Sequence, residues 1–257
     1  MRIVAHLSDL HFGRTDPAVV EALLADLDRH RPDLVIVSGD LTQRARTRQF
    51  AEARRFLDRL AAPALAVPGN HDLAPLYRPL ARLFRPRARF RRNLPGHDPR
   101  PVWSDGEVVA VGLDSTRHLR WISGKLRTSH LDHVEAVLAG APPAACRIAF
   151  LHHPPATAPA GHGFGALAER GIDLILAGHV HRSGTDIVRG RDGAAAVLVQ
   201  SATACSTRLR DEANAYGLIR IAMPTIEVTV QGWTGETFHP RHTRRFEKTG
   251  KGWREVA

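Results

Sequence analysis

A chain of 257 residues, 43% hydrophobic and 24% charged, has the composition of an ordinary globular protein and can bury roughly 70–75% of its unfolded surface, which excludes disorder as its overall state. Two cysteines, Cys146 and Cys205, exclude a disulfide scaffold and a cysteine-type zinc site. The apolar N-terminal run is too short for the core of a signal peptide, and no run of about 18 apolar residues is present to span a membrane; a cytoplasmic location is the expectation.

The elements alternate along the chain. Arg2 to Leu7 reads as a strand. Pro17 to His30 reads as a helix, with Val20, Leu23, Leu24 and Leu27 on one face and Asp16 as N-cap before a proline at the first helical position. Leu34 to Val37 is a β-branched run ending at Ser38-Gly39-Asp40; Thr47 to Leu60 is a second helix; Ala64 to Val67 is a strand stopped by Pro68-Gly69. Strand, helix, strand, helix, strand predicts a βαβ architecture with a largely parallel inner sheet. Tyr77 to Arg100 is irregular and rich in Arg and Pro, predicting a short helix and loops. Glu107 to Leu113 is a strand, Asp114 to Leu126 a loop, Ser129 to Leu138 a helix. Arg147 to Leu151, Leu174 to Leu176, Ala196 to Val199, Leu218 to Ala222 and Ile226 to Gln231 are further strands. Pro240 to Ala257 is basic and reads as a strand or a loosely held tail. No repeat or linker divides the chain, so residues 1–257 are expected to form one domain.

The chain carries 15 histidines, several of them paired or next to Asp, Asn or Gly. Five short blocks stand out: Asp9-Leu10-His11, Gly39-Asp40, Gly69-Asn70-His71-Asp72, His152-His153-Pro154 and Gly178-His179-Val180-His181. Each follows an apolar β run, so all should fall at strand ends, where sheets of this type place their sites. Singly, each reads as turn or cap chemistry. Together they supply carboxylate, amide and imidazole ligands suited to Mn, Fe or Zn. Asp-x-His and His-x-His on an extended segment would put both side chains on one side. Asp40 stands alone, as a carboxylate bridging two ions would. Gly39, Gly69 and Gly178 would let backbone approach a small site.

These five blocks, in this order over about two thirds of the chain, resemble the calcineurin-like metallophosphoesterase superfamily. The Leu-Ser-Asp-Leu-His, Leu-His-His-Pro-Pro and Ala-Gly-His-Val-His stretches are similar to its bacterial class III cyclic-nucleotide phosphodiesterases, and enzymes acting on glycerophosphodiesters or lipid-linked pyrophosphates share them. The resemblance implies an α/β fold, a four-layer αββα sandwich with two mixed β-sheets flanked by helices. It implies two divalent or trivalent metal ions (Mn, Fe or Zn). Asp9, His11 and His181 would hold the first ion, Asn70, His152 and His179 the second, with Asp40 between them. His71 would act as an acid or electrostatic stabiliser at the leaving oxygen, oriented by Asp72. His152 is preferred to His153 because the family's ligand follows the apolar run directly. The implied activity is hydrolysis of a small-molecule phosphate ester by metal-activated water, foremost a phosphodiester such as a 3',5'-cyclic nucleotide. A lipid-linked phosphate or glycerophosphodiester cleaved at a membrane surface is the alternative. The resemblance leaves room for a homodimer.

The formal charge of +10 would also suit a nuclease. Abundant Arg and Ala with scarce Lys are, however, equally the mark of a GC-rich genome. A nuclease interleaves aromatics with its basic residues to stack bases; here aromatics are 6% and the basic stretch holds only Phe84 and Phe90, so no nucleic-acid partner is expected. Arg78, Arg82, Arg85, Arg87, Arg89, Arg91 and Arg92 would form a lid or rim, or a solvated helix face; the spacing of Arg78, Arg82 and Arg85 favours the solvated face. Arg241, Arg244, Arg245, Lys248 and Lys251 would form a solvated tail. His97 and His118 are candidate substrate contacts or ordinary loop residues. Ser201 to Cys205 follows a β run and is placed to approach the site, with Cys205 read as a packed residue rather than a nucleophile.

Overall fold

The structure is a computed structural model that describes residues 1–94, 100–119, 123–154, 163–250 and 252–256. Two mixed sheets form its centre. The first has seven strands: β1 (Arg2–Leu7), β2 (Leu34–Val37), β3 (Ala64–Ala66), β10 (Ala215–Ala222), β11 (Thr225–Trp233), β12 (Phe238–Thr249) and β13 (Gly252–Val256). The second has six: β4 (Val102–Ser104), β5 (Val108–Leu113), β6 (Cys146–Leu151), β7 (Leu174–Ala177), β8 (Gly184–Arg189) and β9 (Ala195–Gln200). β1, β2 and β3 run parallel, as do β5, β6, β7 and β9, while β10–β13 and the edge strands β4 and β8 are antiparallel.

Burial divides the strand residues among three layers. Val4, Leu34, Ile36, Ile219 and Val228 of the first sheet meet Val108, Ile148, Leu174 and Val197 of the second in one inner core. The alternate residues Ala5, Leu7, Val35 and Val37 face outward onto α1 (Pro17–His30) and α2 (Thr47–Leu57). Val109, Val111, Ala149 and Ile175 face outward onto α5 (Thr128–Leu138) and α6 (Gly165–Ala168). The result is helix, sheet, sheet, helix. Strands buried on both faces read as unbroken apolar runs, which is why β1, β2, β5, β6 and β7 are plain in the sequence.

Local chemistry sets the helix ends. Asp16 accepts from Ala18 N at 2.9 Å, with Pro17 at the first helical position of α1. α2 stops at Leu57, three residues short of the expected Leu60. The irregular basic stretch holds two short helices, α3 (Pro79–Phe84) and α4 (Ala88–Asn93), rather than one.

The C-terminal segment is strand, not tail. β12 pairs with β11 and β13, and buried Asp173 accepts from Lys248 Nζ at 2.5 Å and Trp253 Nε1 at 3.2 Å. Arg241, Arg244 and Arg245 pair with Glu212, Glu255 and Glu227. Arg82 departs from the solvated-face expectation as well. It is buried, and donates to the Ala74 carbonyl (2.9 Å) and the His118 carbonyl (2.7 Å). Arg87 pairs with Asp114 and Arg89 donates to the Ala45 carbonyl at 2.8 Å. These three arginines pin the stretch to the body, while Arg78, Arg85, Arg91 and Arg92 remain exposed.

Candidate metal centre

All five sequence blocks converge at the carboxyl ends of the parallel strands of both sheets. Asp9 and His11 follow β1, Asp40 follows β2, Asn70 begins a single 3-10 turn after β3, His152 follows β6, and His179 and His181 follow β7. His179 is partly exposed; the other six are buried.

The pairs reach one point by a different route from the one expected. Asp9, His11, Asp40, His179 and His181 have φ of 52°, 50°, 52°, 73° and 57°. They lie in the left-handed region, not on extended segments, and the sharp turns there aim the side chains inward. Left-handed non-glycine residues are uncommon and cluster where function over-determines them. Close approach finishes the packing. A Cβ on Gly69 would lie 2.1 Å from Asp40 Oδ1, and one on Gly178 would lie 1.7 Å from Ser8 Oγ. Gly69→Ala should therefore displace the Asp40 carboxylate, with loss of metal and a fall in activity of about 100-fold or more, the order expected for ångström-scale misplacement. Metal analysis and turnover of the purified variant check it.

The donor geometry fits cations. Asp9 Oδ1 is buried without a hydrogen-bond partner, 3.1 Å from His181 Nε2 and 3.6 Å from His11 Nε2. The two imidazole nitrogens face each other at 3.3 Å. His181 Nδ1 donates to the Arg208 carbonyl at 3.1 Å, which turns Nε2 toward Asp9. His152 Nδ1 donates to the Ser38 carbonyl at 2.8 Å, and its Nε2 lies 3.4 Å from Asp40 Oδ2 and 3.2 Å from Asn70 Oδ1. Carbonyls that fix ligand tautomers in this way are the usual support of a metal site. Three donor groups result, each within 4.8 Å: Asp9, His11 and His181; Asp9, Asp40 and His152; and His152, His153 and His179. Buried convergence of carboxylates and imidazole lone pairs is what two metal ions would satisfy.

Proton affinities agree. Burial opposes the charge on Asp9, yet His11 and His181 beside it hold its carboxyl well below the usual range. Burial likewise disfavours His152 as a cation, but Asp40 and Asp9 raise it to about 9, so that without metal a proton takes the cation's place. His179 is lowered to about 4 by burial and by His152.

Three points add to or differ from the sequence reading. His152 faces Asp40 and Asn70, and His153 lies close by as well: its ring centroid is 4.6 Å from that of His179, its Nδ1 bonds Ser115 Oγ at 3.0 Å, and its Nε2 is buried without a partner. Asp72 does not orient His71. Its oxygens accept from Leu41 N (3.0 Å), Thr42 N (2.8 Å), Gly69 N (2.9 Å) and Thr42 Oγ1 (2.8 Å), tying the Asp40 loop to the Asn70 turn. His71 instead donates from Nδ1 to the Gln43 carbonyl at 2.7 Å. Third, the sequence reading missed Arg208, whose guanidinium lies 3.1 Å from His71 Nε2. Cys205 is buried and donates to the Leu10 carbonyl at 3.7 Å, and burial pushes its thiol far up, as for a packed residue. Thr203 Oγ1 donates to the Asp9 carbonyl at 2.7 Å, so the segment after β9 does reach the site. His118 offers its carbonyl to Arg82, and His97 lies outside the described residues.

The five converging blocks on this fold form a candidate metal centre, and comparison with known proteins supplies the class. Residues 3–183 match the calcineurin-like phosphoesterase family, and the chain belongs to it. It is 32% identical over 209 residues to a glycerophosphodiester phosphodiesterase of Enterobacter lignolyticus, 70% of each chain. It is 27% identical over 164 residues to a probable cyclic nucleotide phosphodiesterase of Synechococcus, 59% of this chain and 58% of the other. In fold it is similar to a dimetal phosphatase of Danio rerio, with a TM-score of 0.63, 14% identity and coverage of 93% and 98%. The chain is a metal-dependent phosphoester hydrolase. No helix among the described residues is long and apolar enough to cross a membrane.

Because only the folded chain brings these donor groups together, metal should stabilise the native state. Mn²⁺ at 100 times its dissociation constant contributes about 2.7 kcal/mol, an upward Tm shift of about 5–10 °C for a domain this size. A thermal melt with and without Mn²⁺ reads it directly.

Proposed function

We propose that this chain hydrolyses a phosphodiester at a two-metal centre. In this reading Asp9, His11 and His181 hold one ion, Asn70, His152 and His179 the other, and Asp40 lies between them. The observation that carries it is the convergence of Asp40 Oδ2 with His11 Nε2 at 3.8 Å and His152 Nε2 at 3.4 Å, which puts one carboxylate between both imidazole sets. Such a pair of ions supplies Lewis acidity at phosphorus and acidifies a water for in-line attack. The chain's own residues do the rest. The Asn70 amide, fixed in the turn after β3, would hold its oxygen toward that ion. His71 N donates to Asp40 Oδ1 at 2.8 Å, which locks the His71 ring beside His11 with centroids 4.9 Å apart. In this reading that ring would face the leaving oxygen. Burial, with help from His11 and Arg208, keeps it neutral more readily than a free histidine. His71→Ala should lower turnover about 100-fold with metal content unchanged; loss of metal would remove this role.

The two curated relatives are named for glycerophosphodiester and cyclic-nucleotide substrates, so both ester types enter the test. The Mn-loaded protein is assayed on a bis-aryl phosphodiester, an aryl phosphomonoester, cyclic AMP and a glycerophosphodiester. Activity confined to the monoester would overturn the proposal.

A second reading, cleavage of a lipid-linked phosphate at a membrane surface, is favoured by one surface feature. Leu76, Tyr77, Leu80, Leu83 and Phe84 are 67%, 66%, 73%, 47% and 72% exposed, beside exposed Arg78 and Arg85. Apolar side chains fringed by arginine suit an anionic lipid interface. Sedimentation with anionic lipid vesicles, lost in Phe84→Glu, would support it.

A further inference from the structure

We propose that Arg208 is a phosphate-binding residue of the site, held ready by His71 until substrate arrives. The inference rests on the phosphoester reading above. Its backbone and its side chain do separate things. The backbone belongs to a pinned loop. Arg208 N donates to Ser206 Oγ at 3.1 Å, Ser206 Oγ donates to the Arg14 carbonyl at 3.0 Å, and Asn214 Nδ2 donates to the carbonyls of Thr203 and Ser206 at 3.1 and 2.9 Å. The Arg208 carbonyl receives His181 Nδ1. The loop thus stands on the metal centre.

The side chain reaches the His71 ring. Its Nη1 is 3.1 Å from His71 Nε2. His71 Nδ1 already donates to the Gln43 carbonyl, so Nε2 is the lone pair and Arg208 donates to it. A neutral imidazole is a weak counterpart for a guanidinium. Among the described residues no carboxylate forms an ion pair with Arg208, whereas nearby Arg182 and Arg241 pair with Asp211 and Glu212. A half-buried, permanent cation with no carboxylate partner among the described residues, beside the candidate ligands of a phosphoester site, is matched by the substrate's phosphate. The planar fork can engage two phosphate oxygens at once, which an ammonium cannot. On binding, Arg208 would exchange the His71 lone pair for phosphate oxygens, and His71 Nε2, released from its donor, could take up a proton from solvent and give it to the leaving oxygen. Both groups then act on the same side of phosphorus.

The division between backbone and side chain makes the test clean, because Arg208→Ala keeps the carbonyl that orients His181. The Mn-loaded wild type, Arg208→Ala and Arg208→Lys are compared by metal content, by calorimetric titration with inorganic phosphate, and by kcat/KM on a bis-aryl phosphodiester. Expected for Arg208→Ala are full metal content, phosphate affinity down at least tenfold, and kcat/KM down about 100-fold, the scale for a lost donor at developing charge. Arg208→Lys should remain at least tenfold impaired. Loss of metal in Arg208→Ala, phosphate affinity within threefold of wild type, or full rescue by lysine would each overturn the proposal. Phosphate titration does not depend on which ester is cleaved. A wild type inert on the diester would therefore refute the diesterase reading while this measurement still decides the role of Arg208.

Discussion

Asp40→Ala is expected to remove both metal ions and reduce turnover by about three orders of magnitude or more. The carboxylate lies between the two imidazole sets, so its loss opens both at once. Metal contributes several kcal/mol of charge stabilisation in the transition state, and about 4 kcal/mol corresponds to about 10³ in rate. The metal-free variant should also be destabilised. Asp9 and Asp40 offer oxygens within 4.8 Å of one another in a buried place, and without metal the protonated His152 beside them takes the cation's place and holds the Asp40 carboxyl well below its ordinary range. Removing Asp40 strands that buried charge and the His71 N–H, so the metal-free variant should lose about 2–3 kcal/mol, a Tm fall of about 4–12 °C, while the Mn²⁺-induced rise disappears. Metal analysis and melts with and without Mn²⁺ separate the two effects. A variant that kept two ions and its activity would end the bridging assignment.

The gathering of the candidate ligands was legible in the sequence where ligand type and strand end coincide. Asp9, His11, Asp40, Asn70, His152, His179 and His181 all follow β-branched or apolar runs, and a sheet sends such positions to one edge. The turn geometry was not legible. Aspartate and histidine enter the left-handed region more readily than most residues, but too seldom for residue type alone to mark it at Asp9 or His181. Arg208 was hidden for a topological reason. It sits 137 positions from His71, in a polar loop after β9, and only the docking of that loop on the Asp9 segment brings the two together. β8 and β12 were missed or left open because their exposed faces carry polar and basic residues. β12 buries Phe238 and Phe246 but exposes much between them, and Pro240 lies where the register with β11 shifts. Bulges are among the places where sheets admit proline, although in sequence it reads as a break.

Asp72 shows how a side chain among the ligands can matter without chemistry, and it has the largest stability effect to be expected. Asp72→Ala would strand the N–H groups of Leu41, Thr42 and Gly69, which its carboxylate accepts in a buried place. Each unsatisfied buried donor costs about 1–3 kcal/mol, so the variant should lose about 3–6 kcal/mol. Set against a total of 5–15 kcal/mol for ordinary domains, that is a Tm drop of roughly 10–20 °C. Metal should be lost too, because the same carboxylate joins the Asp40 loop to the Asn70 turn and so sets the spacing of ligands from β2 and β3. Burial and the charge of Asp40 push the Asp72 carboxyl up to about 6. A carboxylate surrounded by donors still ionises with difficulty when another lies close by, and bound metal should ease it by offsetting Asp40. Asp72→Asn keeps the shape but turns an amide toward the N–H donors on one side, so it should fall between wild type and alanine in both Tm and metal content. Had Asp72 served to orient His71, the alanine variant would keep its Tm and both ions and lose turnover alone. Melting and metal analysis of the two variants therefore distinguish a carboxylate that builds the site from one that takes part in its chemistry.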